Sequence, residues 1–201
     1  MAYVPRIAKI TRKTLETSIE MELNLDGSGE YQIQTGIGFF DHMLTHIAKH
    51  GLLDLRIVAS GDLIVDDHHS IEDVGIALGQ ALKQAFGDAS AITRYGHAFV
   101  PMDEALVMCA LDYSGRGMSV CELTIPVERI GSMASEMVVE FFRALAVNAG
   151  ITLHIRQMSG ENGHHIVEAA FKAFGRALAM AAEHSERVQG IPSTKGVIIC
   201  R

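Results

Sequence analysis

Two stretches of the chain set adjacent histidines one turn ahead of a glutamate: His68-His69-Ser70-Ile71-Glu72 and His164-His165-Ile166-Val167-Glu168. Imidazole nitrogen with carboxylate oxygen is a donor set for Mn, Fe or Zn, and without thiolates Mn or Fe is favoured over structural Zn. A helix turns about 100° per residue, so with His68 at 0° His69 lies near 100° and Glu72 near 40°, between them. Adjacent histidines therefore point apart, and the glutamate can share an ion with either. In the same frame Ile71, Val74, Leu78, Ala81, Leu82 and Ala85 fall between about 220° and 320°, so the imidazoles face away from the core. The second motif has the same phase. Four outward imidazoles and two carboxylates suggest two ions, with ligands that face away from their own core meeting another subunit. A further stripe, His42-His46-His50 at i, i+4, i+8, could complete a site. Asp66-Asp67, just before the first motif, has two readings: capping of the helix, or orientation of the imidazoles.

Some of the few basic residues cluster beside glycine: Arg94 in TRYG, Arg116 in SGRG and Lys195 in PSTKG. Lys172 stands one turn after Glu168. Arginine and lysine beside a Ser/Thr-rich turn suit a phosphate monoester.

The elements that must position these groups occur twice. At a constant offset of 96, residues 68–85 and 164–181 share eight identical positions, including both histidines, the glutamate and Gly79/Gly175. Such self-similarity predicts two related halves, about 1–93 and 94–201. In the first, alternation predicts a strand over 16–25, a turn at 26–29 and a strand over 30–35. A helix over 39–50 stopped by Gly51, a strand over 53–60 and a long helix from His68 follow. The second repeats the order: strand 105–112, turn 113–117, strand 118–125, helix 134–149, strand 151–157, helix from 164. The expected class is α+β: an internal duplication of two similar half-domains, each a small mixed sheet covered by two helices.

Composition narrows the function. Of 201 residues, 48% are hydrophobic and 20% charged, enough for a sizeable core and too apolar for disorder. A net charge of −7, no Trp and 6% aromatics argue against nucleic-acid partners. No apolar run is long enough to span a membrane and the N-terminus lacks a secretory h-region. Three cysteines, Cys109, Cys121 and Cys200, without CxxC spacing fit a reduced, cytoplasmic compartment.

The segments GIGFFDHMLTHIAKHG (36–51), DDHHSIEDVGIALG (66–79), PMDEALV (101–107), DYSGRG (112–117), HHIVEAAFKAFGRAL (164–178) and PSTKG (192–196) resemble the imidazoleglycerol-phosphate dehydratases of histidine biosynthesis, in order and over nearly the whole chain. The resemblance implies loss of water from imidazole glycerol phosphate to give imidazole acetol phosphate, and two Mn(II) ions per active site. It also implies a homo-oligomer of 24 subunits built from trimers, with active sites between subunits. Carried onto this chain, the metal ligands are His42, His68, His69, Glu72, His164, His165 and Glu168. Glu16 is the acid/base carboxylate and His50 a substrate contact, while Arg94, Arg116, Lys172, Ser193 and Lys195 bind phosphate, the last two in a C-terminal tail. The chain departs from the pattern at Glu140, where the family commonly has a histidine ligand. Glu140 holds the place in the second half that His42 holds in the first, so it too is expected to ligate.

Two rival readings remain at this point. Asp67-His68-His69 also matches the two-metal phosphoesterases named for an Asp-His-His motif, although their further aspartate clusters are missing. A ferritin-like metal store would use i, i+3 His/Glu pairs, but on an all-helical bundle.

Overall fold

Apolar residues alternate along 17–24 and 105–112, and in the computed structural model, which describes residues 5–198, both segments are strands with one packed face. The first sheet is built from β1 (Ile7–Lys13), β2 (Thr17–Asn24), β3 (Tyr31–Gln34) and β4 (Asp54–Gly61), in the order β1-β2-β4-β3. Between β3 and β4 runs α1 (Gly38–Gly51), and after β4 comes α2 (His68–Phe86). The second half repeats this with β5 (Tyr95–Met102), β6 (Ala105–Asp112) and β7 (Met118–Glu122). A two-strand hairpin follows, β8 (Arg129–Ile130) with β9 (Met133–Ala134), then α3 (Met137–Ala149), β10 (Thr152–Ser159) and α4 (Gly163–Ala182). Its sheet order is β5-β6-β10-β7. In each sheet two antiparallel pairings are followed by one parallel one, β3 on β4 and β7 on β10. The topology is therefore duplicated as well as the sequence, and its strands exclude an all-helical storage bundle.

The helices exchange partners between halves. Each long helix lies on its own sheet, α2 on β1 and β2, α4 on β5 and β6, yet α2 packs against α3 and α4 against α1. One hydrophobic core runs through both halves, with Phe40, Phe141, Phe142, Phe171 and Phe174 fully buried where the helices meet. The close approach depends on the repeated glycine. A Cβ on Gly175 would lie 3.0 Å from the Ile47 carbonyl and 3.1 Å from the Gly51 nitrogen; one on Gly79 would lie 2.6 Å from the Leu145 carbonyl and 2.9 Å from the Ala149 nitrogen. Gly51 serves this packing and does not stop α1. The helix runs through it and ends on Leu52, which takes the left-handed conformation at φ 53°.

Four strands are absent from the sequence reading: β1, β5 and the short pair β8 and β9. β1 and β5 are edge strands, paired on one side only. β1 carries Lys9, Arg12 and Lys13, and β5 contains Gly96 and Pro101, residues tolerated at an edge.

Candidate active site

The repeat motifs open α2 and α4, and their helical phase does what the spacing predicts. The rings of His68 and His69 lie 6.2 Å apart at 77°, those of His164 and His165 6.2 Å apart at 82°, so neighbours diverge. His164 turns toward α1. Its Nε2 is 3.0 Å from Glu168 Oε2, and His42 Nε2 lies 3.4 Å from the same oxygen. One ligand atom from each of His42, His164 and Glu168 falls within 4.8 Å of the others, the only such group among the described residues. Glu168 is nearly buried, which opposes ionisation; the Lys172 ammonium 2.5 Å from Oε1, with His46 and His164, nevertheless holds its pKa down to about 2. A buried, ionised carboxylate between two imidazoles is a set that a divalent cation fits.

His46 belongs to this cluster, 3.4 Å from Glu168 Oε1 and 3.3 Å from His42 Nε2. Burial lowers its pKa to about 4, so the ring is neutral. The i, i+4 stripe on α1 carried the signal for it. His50 stacks on His46 at 5.7 Å, and its pKa too is lowered, chiefly by burial.

The second histidine of each pair sits between carboxylates of other elements, and its side chain is less exposed than that of the first, 33% against 45% in α2 and 24% against 44% in α4. His69 Nδ1 is 3.0 Å from Asp62 and its Nε2 3.7 Å from Glu16; His165 Nδ1 is 2.7 Å from Glu104 and its Nε2 3.7 Å from Asp103. Both imidazole pKa values are raised, first by those hydrogen bonds, and Glu104 is lowered to about 2, first by its bond to His165. The carboxylates that hold the rings are thus Asp62 and Glu104, which no local spacing marks, and not Asp66 or Asp67. Asp66 caps, accepting the His68 N–H at 2.8 Å. Asp67 is buried and accepts the Ala134 N–H at 2.5 Å beside Arg129, tying the start of α2 to the β8–β9 hairpin. Asn162 caps α4 through the N–H groups of His164 and His165.

The first-half counterpart is looser. His68 Nε2 is 3.9 Å from Glu72, and the Glu140 carboxylate is ion-paired with Arg143. His68, Glu72 and Glu140 do not form a three-ligand group.

Arg94, Arg116, Ser193 and Lys195 are brought together, lining a cavity of about 920 Å³ with Ser114 and Thr194. Arg94 is anchored by Asp112 at 2.7 Å and donates to the Pro192 carbonyl at 2.7 Å. Lys172 stands apart from them, on Glu168. The Arg94 N–H bonds the Ala181 carbonyl, so this cavity lies at the C-terminal end of α4 while His164 stands at its start. Seventeen residues of helix separate those ends, roughly 25 Å.

A family model described as imidazoleglycerol-phosphate dehydratase matches residues 35–178. The chain belongs to this family. Named members include the imidazoleglycerol-phosphate dehydratase of Desulforamulus reducens, 59% identical over 96% of this chain and 98% of its own, and that of Acetivibrio thermocellus, 57% identical over 94% and 97%. The crystal structure of the Staphylococcus aureus imidazoleglycerol-phosphate dehydratase superposes with a TM-score of 0.81 at 39% identity, covering 89% of this chain and 99% of that one. The Pyrococcus furiosus structure, in complex with (S)-C348, gives 0.81 at 42% over 94% and 99%. The duplicated α+β fold is therefore that of the imidazoleglycerol-phosphate dehydratase family. No helix among the described residues is long and apolar enough to cross a membrane.

Proposed function

We propose that the chain removes water from imidazole glycerol phosphate to give imidazole acetol phosphate in histidine biosynthesis, using two Mn(II) ions per active site. The observation that carries this reading beyond family membership is the His42–His164–Glu168 cluster beside His165, whose ring Glu104 holds. His42, His164 and Glu168 would hold one ion; His68, Glu72 and Glu140 would hold the other, once Glu140 leaves Arg143. Each set lacks a ligand, and His69 and His165, turned from their own helices' clusters, are the groups available to complete them on neighbouring copies. The roughly 25 Å between the cluster and the Arg94–Lys195 cavity supports the same arrangement. The substrate's ring and phosphorus are five bonds apart, under roughly 8 Å, so one copy cannot supply both ends. Active sites between subunits follow, and with them a homo-oligomer; 24 copies built from trimers is the assembly we propose. The free thiols Cys109 and Cys121 fit a reducing, cytoplasmic compartment; Cys200 lies outside the described residues.

The difficult step is removal of a C–H proton with no neighbouring carbonyl to accept the charge. Bound Mn(II) would supply Lewis acidity toward the substrate's imidazole, making that ring the electron sink. Glu16, more than half exposed and facing His69 Nε2, would take the proton from carbon and return one to the leaving hydroxyl. His50 would contact the substrate near the reacting carbons. Arg94, Arg116, Ser193 and Lys195 would fix the phosphate, and Lys172, beside Glu168, would reach it from the metal side. Incubation with imidazole glycerol phosphate and Mn(II) should yield the enolisable product; Glu16→Gln should cut turnover by at least 100-fold while Mn(II) still binds. Full turnover in that variant would remove Glu16 from the mechanism.

A further inference from the structure

Asp62 and Glu104 come from unrelated places. Asp62 follows β4, in the first half; Glu104 lies in the turn between β5 and β6, in the second. Sequence symmetry does not pair them. The residue matching Glu104, placed just before β2 as Glu104 is before β6, is Glu16, and Glu16 faces the opposite nitrogen of its histidine. The two halves have nonetheless reached one solution: a carboxylate on Nδ1 of the second histidine, with Nε2 toward an exposed acid.

The chemistry of that contact is restrictive. An ionised carboxylate only accepts, so at 3.0 Å and 2.7 Å the Nδ1 atoms of His69 and His165 must carry the hydrogen. In the neutral ring the lone pair is then confined to Nε2, the nitrogen that faces Glu16 in His69 and Asp103 in His165, each at 3.7 Å. A histidine left to itself exchanges tautomers and rotates about its side-chain torsions; these two cannot do so without breaking a charge-assisted bond. We infer that Asp62 and Glu104 are positioning residues that hold His69 and His165 as Nε2 metal donors, ready for a site on another copy of the chain.

The inference rests on the metal reading above, and Asp62 tests it more cleanly. Glu104 also accepts the N–H groups of Glu161 and Asn162, at 3.2 Å and 2.8 Å, and so braces the start of α4. Both Asp62 side-chain oxygens are directed at His69 Nδ1, at 3.2 Å and 3.0 Å. Mn(II) affinity is measured by titration with detection of free Mn(II) by electron paramagnetic resonance, beside the melting temperature of the metal-free protein. Asp62→Ala should weaken Mn(II) binding 10- to 100-fold with little change in metal-free melting. Asp62→Asn, whose amide oxygen still accepts from Nδ1, should recover most of the loss. On a His69→Ala background, Asp62→Ala should cost nothing further, because the ring it holds is gone. Glu104→Ala, 42 residues away on a different element, should weaken binding similarly. Unchanged affinity in both alanine variants overturns the inference, as does an equal further loss on the His69→Ala background. If the unaltered protein binds no Mn(II), the metal reading fails; if it binds and the variants bind as tightly, only the positioning role fails.

Discussion

At the residue scale the site is a set of nitrogens and oxygens whose protonation decides what they hold. His69 and His165 have raised pKa values because Asp62 and Glu104 accept from their Nδ1 atoms. A metal requires Nε2 free of its proton, so protons compete with the ion until the pH exceeds the raised value. Mn(II) affinity should therefore fall with falling pH along a curve whose midpoint lies above the ordinary histidine value of about 6.5. Isothermal titration between about pH 5.5 and 8.5 measures it; a midpoint at or below the ordinary value contradicts the assignment. Much of this scale was legible in the chain. His68/Glu72 and His164/Glu168 announce themselves because helix geometry turns i, i+4 spacing into adjacency, and His42-His46-His50 does so by the same rule. Asp62 and Glu104 were not legible, because nothing local links a loop after β4 to a ring seven residues on, or the β5–β6 turn to α4, until the fold brings them together. The pairing of Glu140 with Arg143 follows from the helix rule, being i, i+3 on α3.

At the element scale the deciding contact is between helices of different halves. Gly79→Ala places a methyl against the backbone of α3, where it has no flexible neighbour to displace. It should destabilise by about 1–3 kcal/mol despite the better helix propensity of alanine. Gly38→Ala, in the first turn of α1 with nothing within 4 Å, is the control and should be neutral or stabilising. Thermal melting of the metal-free protein separates the two; equal melting temperatures would show that the α2–α3 approach tolerates a methyl. Leu52 offers the opposite test. Its place at the end of α1 corresponds to Gly150 at the end of α3, which also adopts a positive φ, 72°, yet Leu52 pays the left-handed penalty and is 59% exposed. Leu52→Gly should raise stability by roughly 1 kcal/mol, and a lowered melting temperature would mean that the exposed side chain packs against something. Interior strands and all four helices were legible because a buried face imposes its period on the sequence. The edge strands β3 and β7 were read too; β1 and β5 were not, because small residues such as Ala8 and Gly96 take their packed faces while Ile7 and Phe99 are exposed, and the short β8–β9 hairpin has too few residues to show a period.

At the scale of the whole molecule, duplication explains both the strength and the incompleteness of the site. Exchanging helix partners between halves gives one shared core, and both second histidines are held on Nδ1 by a carboxylate with Nε2 toward an exposed acid. The Arg94–Lys195 cavity and the His42–His164–Glu168 cluster stand at opposite ends of α4, and under the proposed function a second copy brings two such ends together. Sequence spacing suggested this, through ligands facing away from their own core, and the length of α4 gives it a distance. The most direct measurement is anomalous diffraction at the Mn edge from crystals grown with Mn(II). The account predicts a peak bound by His42, His164 and Glu168 of one copy and by Nε2 of His69 or His165 from a neighbour. A peak ligated by one copy alone, or no peak among these side chains in fully active protein, would contradict it.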